Sequence, residues 1–78
     1  MEIESGRKTN TELELKFKKM ILEILEKNTN GEPATKIAKL MGRDYYLVLK
    51  CINELLEDGF LTKFVFRKIT YYQSNYML

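Results

Sequence analysis

Apolar side chains return every three or four residues along the first third of the chain: Leu13, Phe17, Met20, Ile21, Ile24 and Leu25. Positions three and four apart share a helix face, so this spacing predicts an amphipathic helix with one buried stripe. Lys16, Lys18, Lys19, Glu23, Glu26 and Lys27 fall mostly on the other side. Thr11-Glu12-Leu13-Glu14 has the form of a capping box, in which the Thr accepts from the Glu14 amide and the Glu14 carboxylate reaches back. The helix is therefore expected to begin at Thr11. Residues 1–10 have no periodic apolar face and are expected to form a mobile tail, leaving residues 11–78 as a single domain. Asn28-Thr29-Asn30-Gly31 is the expected helix exit, because Asn and Gly tolerate a left-handed backbone.

A second, shorter helix is predicted after Pro33, which suits a first turn because its missing N–H is not needed there. Ile37, Ala38, Leu40 and Met41 are its expected packing side, and Gly42 its end. Asp44 is a natural N-cap for a third helix, with Val48, Cys51, Ile52 and Leu55 facing inward and Gly59 closing it. Beyond Gly59 the period becomes that of strands. Phe60 to Phe66 and Ile69 to Ser74 are rich in Phe, Val, Ile, Thr and Tyr. The turn between them holds Arg67 and Lys68 but no Gly, Asn or Asp, so a longer or irregular connection is expected rather than a two-residue primed turn. The fold class is thus α+β, mainly α: three helices and a C-terminal two-stranded β-hairpin.

Size sharpens this picture. Seventy-eight residues suffice for one domain, and a core this small supplies about 3–5 kcal/mol of net stability. Cys51 is the only cysteine, so no disulfide forms within the chain, and a cytoplasmic setting is expected. No apolar run approaches the roughly 20 residues of a membrane span. The net charge is +2, but its division says more. Residues 1–32 hold six basic and seven acidic side chains, and residues 33–78 hold seven basic and four acidic, giving −1 and +3. Positive charge therefore gathers in the half with the third helix and the hairpin, which favours a polyanionic partner.

Ile37-Ala38-Lys39-Leu40-Met41-Gly42, then a helix ending Leu55-Leu56-Glu57-Asp58-Gly59-Phe60-Leu61, then Ile69-Thr70-Tyr71-Tyr72-Gln73, resemble the winged helix-turn-helix cores of ArsR- and MarR-type transcriptional regulators. The resemblance covers residues 12–75 and implies a DNA-binding domain with the hairpin as its wing. ArsR-type sensors often carry paired cysteines or histidines for metal; this chain has one cysteine and no histidine. MarR-type proteins carry extra helices for dimerisation and a ligand pocket, and none is left over here. The resemblance therefore implies a DNA binder without a metal, cofactor or small-molecule sensor. The layout is also similar to Z-DNA-binding winged helices. Those depend on an Asn and a Tyr one turn apart on the third helix, where Leu49 and Asn53 stand here, so that activity is not carried over.

On the third helix, Tyr45, Tyr46, Leu49, Lys50 and Asn53 lie opposite the inward stripe. A recognition helix inserts this surface into the major groove. Asn53 suits adenine, Lys50 suits guanine or a phosphate, and the tyrosines offer rings to a thymine methyl and hydroxyls to phosphate. Arg43 beside the helix start suits a phosphate. Lys36 and Lys39 are placed to cross the sugar-phosphate backbone, and Arg67 and Lys68 at the hairpin tip suit the negative minor groove. Two features oppose this. Leu49 cannot hydrogen-bond to a base, and Glu54, Glu57 and Asp58 repel phosphate from the far end of the helix.

The expected function is transcriptional regulation through double-stranded DNA, with a protein-interaction module of a transcription or replication assembly as the alternative. A further alternative is non-specific chromatin or single-strand binding through stacked tyrosines. A homodimer through the first helix and the end Tyr76-Met77-Leu78 is a possible accompaniment, since one protomer reads few base pairs. Catalysis is not expected: there is no histidine, no nucleophile paired with a base and no phosphate-cradling glycine loop.

Overall fold

The structure, a computed structural model, describes residues 2–75, with side chains from residue 12 onward. Three helices, α1 (Glu2–Lys27), α2 (Ala34–Met41) and α3 (Tyr45–Glu57), precede an antiparallel hairpin of β1 (Leu61–Phe66) and β2 (Ile69–Ser74). Tyr76-Met77-Leu78, named above as part of a dimer surface, lies outside the described residues.

α1 does not start at Thr11. Its backbone is helical from Glu2, so the stretch expected to be a tail continues the helix. No proline interrupts residues 2–10, several are good helix formers, and lengthening a helix costs far less than nucleating one. The capping-box sequence thus lies within a helix rather than at its start. Phe17, Ile21 and Leu25 are the buried stripe. Leu13 is exposed instead, at the rim of a groove that it shares with Leu47 and Lys50 of α3.

On α2, Ala34, Ile37, Ala38 and Met41 face the core. Leu40 falls off that face and is 54% exposed, contrary to its expected packing role. Pro33 is the N-cap rather than the first helical residue, and its carbonyl accepts from the Lys36 and Ile37 amides. Gly42 closes α2 at φ 65°, a left-handed backbone that suits glycine, and the Arg43 amide returns to the Ala38 carbonyl. Asp44 then caps α3 through its carboxylate, which accepts from the Leu47 amide at 3.1 Å. Val48, Cys51, Ile52 and Leu55 are all buried, as the period predicts.

The hairpin departs most from expectation. Its register runs from Leu61↔Ser74 to Phe66↔Ile69, leaving Arg67 and Lys68 as a two-residue turn. Both have positive φ, 54° and 70°, as a primed turn requires. The right-handed twist of the strands sets this turn shape whatever residues occupy it. Left-handed backbone costs roughly 1–2 kcal/mol for each such residue. Cross-strand pairs and the Arg67 guanidinium, 5.2 Å from the centre of the Phe66 ring, offset part of that. At the other end, Tyr72 exchanges backbone hydrogen bonds with Glu32, and the Asn75 amide donates to the Phe60 carbonyl.

If the turn is strained, Arg67→Asn with Lys68→Gly relieves it. Stability is expected to rise by about 1–2 kcal/mol, read as about 4–8 °C in thermal midpoint per kcal/mol. An unchanged or lowered midpoint refutes the strain.

Candidate functional site

The outer side of α3 faces solvent and divides into three strips. On the hairpin side, Tyr45 and Leu49 line an open cleft of about 530 Å³ with Pro33, Ala34, Lys68 and Thr70. Leu49 also packs partly against the core, so its methyls form an apolar wall of this cleft. Along the centre, Tyr46 and Asn53 stand out, and Tyr46 is 76% exposed. The Tyr45 and Tyr46 rings meet edge to face at 5.3 Å, which fixes their relative attitude. On the α1 side, Lys50 reaches away from the cleft to Glu14, with its Nζ 2.9 Å from Oε2.

A second ion pair lies one turn further along both helices, between Lys18 and Glu54 at 2.8 Å. The two rungs have opposite polarity and clasp α1 to α3. Hydrogen bonding to Lys50, and then its charge, holds the Glu14 carboxyl below the usual glutamate range. The same contact raises Lys50, and a hydrogen bond to Glu54 raises Lys18. Burial pushes the Cys51 thiol up, which makes it a packing group rather than a reactive thiolate at neutral pH. Burial, and then Tyr45, also raises the Tyr72 phenol.

The remaining basic candidates spread around this surface. Lys36 and Lys39 are exposed on α2. Arg43 is exposed beside the start of α3, with its guanidinium 5.3 Å from the centre of the Phe17 ring. At the hairpin tip the two cations part: Lys68 lines the cleft, whereas Arg67 lies over Phe66. The structure therefore joins Tyr45, Leu49 and Lys68 in one cleft and sets Tyr46 beside it. It does not bring Lys50 or Arg67 into that cleft.

Three features escaped the sequence reading. Thr70 lines the cleft as a hydroxyl beside Lys68. Glu14 partners Lys50 from 36 residues away, although opposite charges four apart in each helix (Glu14 and Lys18, Lys50 and Glu54) carry a trace of it. Phe64 and Phe66 point outward, where sequence alone gave them only strand propensity. Among the described residues, no group of three or more His, Cys, Asp or Glu is placed to hold a metal ion, and no helix is long and apolar enough to cross a membrane. Compared with protein-family models, curated proteins and solved structures, the chain matches none.

The ion pairs predict a pH dependence with a definite sign. A lowered carboxyl stabilises the fold above its ordinary value of 4.5 and loses that effect as pH falls through the depressed value. The raised lysines contribute below 10.5 and lose their effect as pH rises through the elevated values. Glu14→Gln is therefore expected to lower the thermal midpoint slightly at neutral pH. The difference should vanish in acid, and shrink in molar salt because the pair lies at the surface, with Lys50 exposed and Glu14 half-buried. A difference that persists in acid assigns the role of Glu14 to packing instead.

Proposed function

We propose that this chain is a winged helix-turn-helix DNA-binding protein acting in transcriptional regulation. On this reading, α3 enters the major groove and the hairpin serves as the wing. The observation that carries it is the shared cleft, where the outer side of α3 meets a cationic hairpin tip through Tyr45, Leu49 and Lys68. Exposed Tyr46 and Asn53 beside that cleft are free to reach base edges. Exposed Arg43, Lys36 and Lys39 are assigned as phosphate contacts.

Lys50 has a conditional role. It is bound to Glu14, yet its side chain is 58% exposed, so a phosphate can compete for it. With about four to six of Lys36, Lys39, Arg43, Lys50, Arg67 and Lys68 engaged, log affinity should fall against log salt with a slope of about −4 to −5. The reading includes two protomers on two half-sites, because one α3 reads few base pairs. The outward side of α1, where Leu15 is exposed, is the surface assigned to that contact.

Exchanging the rung tests the reading without removing it. Glu14→Lys with Lys50→Glu keeps an opposite-charge pair and the same net charge, but places a carboxylate on the α3 surface. The fold should persist while duplex affinity in gel shifts at low salt falls about tenfold or more. Retained affinity, or no shift by the unaltered protein even at low salt, defeats the proposal. Leu49 and the neutralised Lys50 favour a second reading, a protein-interaction module. A partner recovered after nuclease treatment, by a chain with no salt-sensitive DNA binding, would establish that reading.

A further inference from the structure

The hairpin has an unusual outer face. In a two-stranded sheet with one face on the core, the outward positions are ordinarily polar. The register puts Leu61, Tyr72 and Ser74 inward, where they are buried. By alternation, the cross-strand pairs Phe64↔Tyr71 and Phe66↔Ile69 share the opposite face. Phe66 is 54% and Ile69 47% exposed. The Phe64 and Tyr71 rings stack 5.4 Å apart and 14° from parallel, making a flat aromatic step. Phe64 is fixed from behind, since its ring passes so close to Gly31 that a Cβ there would lie 3.1 Å from it.

The charge around this face selects its occupant. From Phe60 to Asn75 the chain holds Lys63, Arg67 and Lys68 and no acidic side chain. A second copy would set its Arg67, held over Phe66 at the centre of this face, against the first with no carboxylate on either hairpin to pair with it, so self-association through this face is opposed. A polyanion with flat apolar rings satisfies both features: its phosphates meet a hairpin that carries Arg67 on this face and no acid, and its bases meet the aromatic rings. Arg67 over Phe66 adds a guanidinium plane on which a base also stacks. We propose that the outer face of the hairpin, centred on Phe66 with the Phe64–Tyr71 step behind it, binds an unpaired nucleic-acid strand by base stacking. This site is separate from the cleft on α3 and does not depend on duplex recognition there.

Fluorescence anisotropy with a short labelled oligodeoxythymidine, run beside a blunt duplex, tests the proposal on the full chain. Phe66 is exposed, so its replacement should leave the fold intact, which circular dichroism checks. Phe66→Ala is expected to weaken single-strand binding about tenfold, within the range for losing one stacked base, with duplex affinity unchanged. Phe66→Tyr should bind like the parent, and Phe66→Leu, which keeps apolar bulk but lacks a flat ring, should resemble Phe66→Ala. Full binding by Phe66→Leu overturns stacking. So does no binding of the oligonucleotide at low salt, or equal competition by polyglutamate, which carries charge without bases. Loss of duplex binding with single-strand binding intact removes the α3 reading and leaves this one standing.

Discussion

The placement of Tyr72 is the constraint on which the surface of this domain depends. Its ring is buried in the core while its backbone pairs with Glu32 in the α1–α2 connection. One residue thus fixes the hairpin to the helices both by packing and by hydrogen bonds. Side chains alternate along a strand, so once Tyr72 faces inward the facing of every other hairpin residue follows. A slip of one residue would turn Tyr71 inward and expose Tyr72 and Leu61. Thr70 and Lys68 beside the α3 cleft, and Phe64 and Phe66 on the far side, are consequences of that one placement. Gln73 reinforces it by donating to the Thr29 carbonyl at 3.0 Å, as does the Asn75 side chain by donating to the Gly59 carbonyl at 2.8 Å.

The helical part meets a different demand. Ile21, Leu25, Ile37, Ile52 and Leu55 form a fully or almost fully buried centre contributed by all three helices. With so small a core, each of these residues is a large share of net stability. The Glu14–Lys50 and Lys18–Glu54 rungs add little energy, because exposed ion pairs rarely do. Their effect is on placement: they fix how α1 lies along α3 and draw the Lys50 ammonium to one side. The same bonds pair the Lys50 ammonium and the Glu54 carboxylate of α3, so structure and charge are set together there.

Much of the fold was legible in the sequence because its signals are local. Asp44 as a cap, Gly42 and Gly59 as exits, and the stripe Val48, Cys51, Ile52, Leu55 each follow from neighbours within one or two turns. The reading failed where a distant partner or a competing local form decides. Thr11 looks like a helix start, yet an adjoining segment without a proline continues the helix through it. Arg67 and Lys68 carry no primed-turn signature, but strand pairing imposes the shape on them. Leu40 fits an apolar period on paper, and on an eight-residue helix it falls beside the face rather than on it. Of the candidate site, the exposure of Tyr46 and Asn53 was readable from helical geometry. The turning of Lys50 to Glu14 was not, since it is a contact across 36 positions.

The parting of Arg67 and Lys68 has a consequence for any charged ligand. A tip with both cations on one side would act as a single electrostatic anchor. Here Lys68 lies on the α3 side and Arg67 over Phe66, so the two cations of the tip sit on different faces, each next to an aromatic or apolar group. Coulomb attraction falls off within about 8–10 Å at ordinary salt, which leaves each face with only a modest attraction of its own. For a ligand on either face, selectivity would rest on shape and ring contact: Tyr45, Tyr46 and Leu49 on one side, Phe64 and Phe66 on the other. A net charge of only +2 fits such a division, because a surface built to hold polyanions by charge alone would need a stronger field.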